Sequence, residues 1–175
     1  MNTLKIFSIA LLSSVTLGFS QDVNQARKAV DAEQYEKAKS ILKTIIKTNP
    51  IDGRANFILG NVYLIQTVTD SAKISFQRGL AGTEGSRLNY IGLGTIDLDN
   101  GNVTAAEANF ALALKDAKKK DIEELTAIGR AYTYSNKPNY KKAIEYLNKA
   151  KLINPNDALV QLALGDAFYG DKNQN

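Results

Sequence analysis

A chain of 175 residues with 44% apolar content can bury one good core, and a net charge of +4 is too mild to mark a nucleic-acid partner. It contains no cysteine and no histidine, which excludes disulfide staples, serine–histidine and cysteine–histidine nucleophiles, and the usual zinc sites. Carboxylates and lysines remain as competent groups, but no pattern singles one out, so no catalytic residue, cofactor or metal is expected.

The first element is a leader. Lys5 precedes an apolar stretch, Ile6 to Leu17, relieved by Ser8, Ser13, Ser14 and Thr16, and Gly18-Phe19-Ser20 supplies small residues around a cleavage point. This pattern predicts a secretory signal over residues 1–20, cut between Ser20 and Gln21. It is too short to span a bilayer, which takes about 20 apolar residues. No cysteine follows it, so a lipid anchor is excluded. Losing Lys5 leaves residues 21–175 at +3, expected to be exported to a bacterial periplasm or the cell surface.

Apolar residues then recur at helical spacing, with a turn signal at every break. A first pair of helices is predicted over Asp22–Ala32 and Gln34–Thr48, ended by Asn49-Pro50 because proline cannot continue the ladder. The second pair is Asp52–Gln66 and Asp70–Leu80. The third is Ser86–Leu98 and Val103–Lys118, joined by Asp99-Asn100-Gly101-Asn102. Lys118-Lys119-Lys120, beside Asp116 and Asp121, reads as a solvated helix end that suits the dipole. The fourth pair is Ile122–Ser135 and Tyr140–Leu152, closed by Asn154-Pro155-Asn156-Asp157. A last helix, Asp157–Tyr169, precedes a polar tail. No stretch alternates as a strand would, so the fold class is all-α.

Two phrases run through these helices at one shared period. The first is Leu59-Gly60-x-x-Tyr63, Leu93-Gly94-x-x-Asp97, Ile128-Gly129-x-x-Tyr132 and Leu164-Gly165-x-x-Phe168, with glycines 34, 35 and 36 residues apart. The second is Ala38-x-x-x-Leu42, Ala72-x-x-x-Phe76, Ala106-x-x-x-Phe110 and Ala143-x-x-x-Leu147. Glycine inside a helix costs about 0.8–1 kcal/mol against alanine, so its periodic return implies close helix crossings with the large residues packed beside them. Internal repeats of this length mean a stack of like units.

The phrases resemble the tetratricopeptide repeat, a 34-residue helix–turn–helix unit. Repeats fall at about 22–50, 53–84, 87–120 and 122–155, with a final helix over 157–169. The first is degenerate in its opening helix, and the third has Asp97 where an aromatic belongs. The resemblance implies a right-handed α-solenoid whose first helices line a concave groove for a peptide segment or partner protein. By register that groove holds Arg27, Phe57, Asn61, Leu64, Ile91, Thr95, Arg130 and Tyr134. Asn61 is expected to hold a ligand backbone, because an amide both donates and accepts. Phe57, Leu64 and Ile91 would add apolar contact, or else pack between neighbouring helices. The family's clamp for peptide C-termini is not expected, since Val23, Ile58, Leu88 and Gly92 stand at its places.

Asp97-x-Asp99-x-Gly101 has its glycine one place early for a calcium loop and no closing glutamate, so it reads as a turn. Asn102-Val103-Thr104 matches a glycosylation acceptor, a motif short enough to arise by chance. The final helix is apolar on more than one face, which a solenoid's end does not favour. That predicts either a longer protein of which this is the front, or a face covered by a partner or a second copy. The overall expectation is an exported, non-catalytic scaffold. Alternatives are a glycan- or nutrient-capture accessory at an outer membrane, or the adaptor half of a larger protein.

Overall fold

A computed structural model describes residues 22–115 and 121–174, and among these there are helices and turns but no strand. The helices are α1 (22–31), α2 (Tyr35–Thr48), α3 (Gly53–Ile65), α4 (Thr69–Gly79), α5 (Ser86–Asp99), α6 (Val103–Leu114), α7 (Ile122–Tyr134), α8 (Tyr140–Ile153) and α9 (Ala158–Gln174). The predicted leader and the lysine run Lys118-Lys119-Lys120 lie outside the described residues.

Local chemistry sets several helix ends. Asp52 caps α3 by accepting from the Ala55 amide at 2.8 Å, and Asn139 caps α8 by accepting from Lys142 at 3.0 Å. The first three pairs share one turn. Glu33, Thr67 and Gly101 have φ of 56°, 59° and 77°, and each donates its N–H to the carbonyl three residues back. The following residue donates to the carbonyl five back: Gln34 to Ala29, Val68 to Tyr63, Asn102 to Asp97. This is the glycine-favouring Schellman closure, made twice without glycine. The fourth pair departs from it. Ser135 is extended, and Asn139 reaches back to the Tyr132 carbonyl across the longer turn.

Two predicted ends are corrected. Helix α6 stops at Leu114, because Lys115 turns to extended backbone; the rest of the stretch predicted to Lys118 lies outside the described residues. Helix α9 continues past Tyr169 to Gln174 and takes in the polar tail expected to follow it. Gly170 is a packing residue there, not a stop: a Cβ on it would run into the Tyr140 ring.

Each first helix packs on its own second helix (α3 on α4, α5 on α6, α7 on α8), and the first helices α3, α5, α7 and α9 lie side by side in that order. Helices α4 and α8 also rest on α5 and α9, while α6 barely meets α7. The periodic glycines sit where inferred. A Cβ on Gly60 would strike the Phe76 ring, on Gly94 the Phe110 ring, and on Gly129 the Leu147 side chain. Phe76 is also pressed by Gly92 of α5, so one buried ring is held between two glycines of successive repeats. The core is a run of four clusters: two join α1, α2 and α3, another α4 and α5, and the last spans α5 to α9. This is an all-α solenoid.

Candidate functional site

The side-by-side first helices bring the predicted groove row into one register, but its members differ sharply in availability. Ile91 is 2% exposed and belongs to the core, so it presents no surface to a ligand. Phe57 is half-buried and packs against three of the four core clusters, with its ring 6.1 Å from that of Phe76. It ties repeats together. Leu64 is half-buried against the Phe76 cluster. For these three apolar positions, packing between helices dominates, since periodic apolar residues belong to the core first.

The polar members remain accessible. Asn61 is half-buried and its side-chain amide makes no hydrogen bond among the described residues. Thr95 is half-buried, and its hydroxyl donates back to the Ile91 carbonyl at 2.9 Å. Arg130 is exposed, with its guanidinium 5.7 Å from the centre of the Tyr134 ring. Tyr134 is exposed and donates its hydroxyl to Asp166 of α9. Burial, together with that carboxylate, pushes the Tyr134 phenol up to about 12.

Arg27 is already engaged. It meets Glu123 of α7 at 3.3 Å, and Arg54 of α3 grips the same carboxylate with two hydrogen bonds of 2.9 Å. The first, second and fourth repeats therefore meet at one rim. Arg87 forms a parallel pair with Asp121 and Glu124, at 2.6 and 2.9 Å. Burial opposes the Glu123 charge, but the Arg54 hydrogen bonds and the two guanidiniums outweigh it and hold the carboxyl below its ordinary value. Glu124 goes the other way: burial raises it despite Arg87. This rim is not among the residues expected from the sequence. Its signal was present, since Arg54 and Glu123 stand six residues before Gly60 and Gly129 and carry opposite charge at equal register.

A cleft of about 480 Å³, which no sequence pattern announces, lies between α2 and α4 over α3. Its walls combine Lys43, Lys47 and Arg78 with Ile46, Tyr63 and Ile74. The aspartates near Gly101 are occupied as a turn requires. Asp99 accepts from the Asn136 amide and Asp97 from the Asn109 side chain, both at 2.9 Å. Among the described residues no cluster of three or more acidic side chains is arranged to hold a metal ion, and no helix is long and apolar enough to cross a membrane.

Comparison with known proteins agrees with this architecture. Models of the tetratricopeptide repeat match residues 23–86 and 128–157, together just over half of the chain. No curated protein matches it. Among solved structures, pilF of Pseudomonas aeruginosa is similar, with 17% identity and a TM-score of 0.58 over 89% of this chain and 69% of that one. MamA and YrrB, the latter described as a TPR protein with an unusual peptide-binding site, are each 19% identical with a TM-score of 0.47. Each alignment covers 88% of this chain, with 82% of MamA and 78% of YrrB. With the paired helices, the stacked first helices and the glycine-to-ring crossings, the two family-model matches identify the chain as one built of tetratricopeptide repeats.

Proposed function

We propose that the chain is an exported, non-catalytic scaffold whose inner face holds a peptide segment or a partner protein. The observation that carries this reading is Asn61, an amide half-open on that face with both hydrogen-bonding ends unused among the described residues. Arg130 and Tyr134 extend the polar row two repeats further along, and Thr95 lies between them. Stacked repeats offer such a row at regular intervals, which suits an extended chain bound through its backbone. The Arg27–Glu123–Arg54 contact closes one rim, so the ligand runs along Asn61, Thr95 and Arg130 rather than across α1.

Affinity capture from the host's cell envelope tests this, with the wild-type chain beside Asn61→Ala combined with Tyr134→Ala. Loss of the captured partners in the double variant is the expected result. Full retention overturns the groove. Export is tested separately by fusing residues 1–20 to a reporter that is active only outside the cytoplasm.

A further inference from the structure

The second helices of the first two repeats stand apart. Helices α2 and α4 both pack on α3 but not on each other, which leaves the cleft of about 480 Å³ between them. Its floor is Leu59 and Tyr63, one turn apart on α3, with Ile46 of α2 buried beside them. One wall carries Lys43 and Lys47, also one turn apart, and the other carries Ile74 and Arg78. No acidic side chain among the described residues lines it.

All three cations are exposed, and none of their side chains makes an ion pair or hydrogen bond among the described residues. By contrast, Arg27, Arg54 and Arg87 of the first helices each hold a carboxylate. The fold does not require this chemistry in the cleft. One repeat on, the places of Lys43, Lys47 and Arg78 belong to Gln77, Ala81 and Leu112. Two repeats on, they belong to Ala111, Lys115 and Lys149, and Glu145 holds Lys149. Ile74 is 54% exposed, where the later second helices carry Ala108 and Glu145. Helix dipoles account for Lys47 and Arg78, each in a last turn. They do not account for Lys43 a turn earlier, or for an isoleucine left in water.

We propose that this cleft docks an acidic peptide segment of a partner protein. One large apolar side chain of the peptide lies on Ile46, Leu59, Tyr63 and Ile74. Carboxylates on either side of it reach Lys43 and Lys47 on one wall and Arg78 on the other. Charge complementarity selects the occupant's sign, since three cations with no acid between them favour an anionic partner. Shape selects a peptide over a small lipid-like anion. A small ligand is held by burying most of its surface, and a wall whose isoleucine stays half in water does not enclose one. A nucleic-acid strand would ask for an open aromatic face, whereas Tyr63, the cleft's one ring, is half-buried with the Lys39 ammonium 5.9 Å from its centre. The cleft shares no residue with the predicted groove row and does not rest on it.

Fluorescence anisotropy of the chain as its own host produces it tests this, with a short labelled peptide of aspartates and glutamates around one leucine. The expected dissociation constant is about 10–100 µM in about 50 mM salt, weakening at least about tenfold by about 0.5 M. Lys43→Gln combined with Lys47→Gln and Arg78→Gln should weaken binding at least about tenfold. All three sites are exposed, so the melting temperature should stay within about 2 °C. A peptide with serine in place of leucine should bind about five- to tenfold less well, and Ile74→Ser should shrink that difference. Asn61→Ala with Tyr134→Ala should leave binding unchanged, so a failed groove and a failed cleft are told apart. No binding up to about 1 mM, equal binding by the triple variant, or indifference to the leucine overturns the proposal. So does a chain that binds phosphatidylglycerol vesicles through these same cations and leaves the peptide free.

Discussion

At the scale of single residues, the glycines do two opposite things according to what faces them. Gly60 and Gly129 save space, because a methyl group on either would enter the Phe76 ring or the Leu147 side chain. Gly165 saves none within the described residues and carries only the helix penalty. Gly129→Ala should therefore destabilise by about 1–3 kcal/mol, the range for overpacking a tight core, even though alanine is the better helix former. Gly165→Ala should stabilise the dilute chain by up to about 1 kcal/mol. Urea titration of both variants at low micromolar concentration checks the pair, and equal signs would break the argument. Phe57 makes the same point for a side chain. Its register marks the groove, but three clusters lean on it, so Phe57→Ala should cost about 3–5 kcal/mol.

At the scale of elements, the shared turn shows what was legible in the sequence and what was not. Glycines and alanines at a fixed period gave away helix pairs and crossings, because backbone proximity demands small residues and leaves a mark in the chain. Gly101 announced its own turn for the same reason. Glu33 and Thr67 hide identical turns, since their left-handed φ is enforced by the closure hydrogen bonds and not advertised by residue type. The groove was less legible still: register assigns a side chain to a face but does not say whether a neighbour buries it, as Ile91 shows. Ion pairs such as Arg54–Glu123 join residues 69 apart, so no local pattern reveals them and only their equal register in the repeats marks them. Thr67 supplies the test at this scale. A β-branched residue held at φ 59° is strained by roughly 1–2 kcal/mol, so Thr67→Gly should stabilise by about 0.5–1 kcal/mol after the added freedom of the unfolded chain. Thermal melts of this variant beside Gly101→Thr, which should lose a similar amount, would decide it.

At the scale of the whole molecule, the solenoid is held by a strap as well as by stacking. Glu123 collects Arg27 and Arg54 from two earlier repeats, whereas α6 and α7 scarcely touch, so this rim carries a share of the coupling between the halves. The side chains are between a third and a half exposed, and solvent screening holds their worth to about 1 kcal/mol despite the two-pronged geometry. Glu123→Gln should then lower the melting temperature by about 2–4 °C at pH 7. The pH dependence has a definite sign. The folded carboxyl of Glu123 lies below its unfolded value of about 4.3, so its stabilisation is complete above that value and is lost as pH falls through the depressed one. Glu124, raised by burial, contributes with the opposite sign, but it is present in both proteins and largely cancels from their difference. The gap between wild type and Glu123→Gln should thus be full at neutral pH and close as the solution is acidified towards pH 3. It should also narrow in about 1 M salt, where exposed pairs are screened. A gap that persists unchanged in acid would mean that the glutamine loses packing rather than charge, and the rim would then be no strap at all.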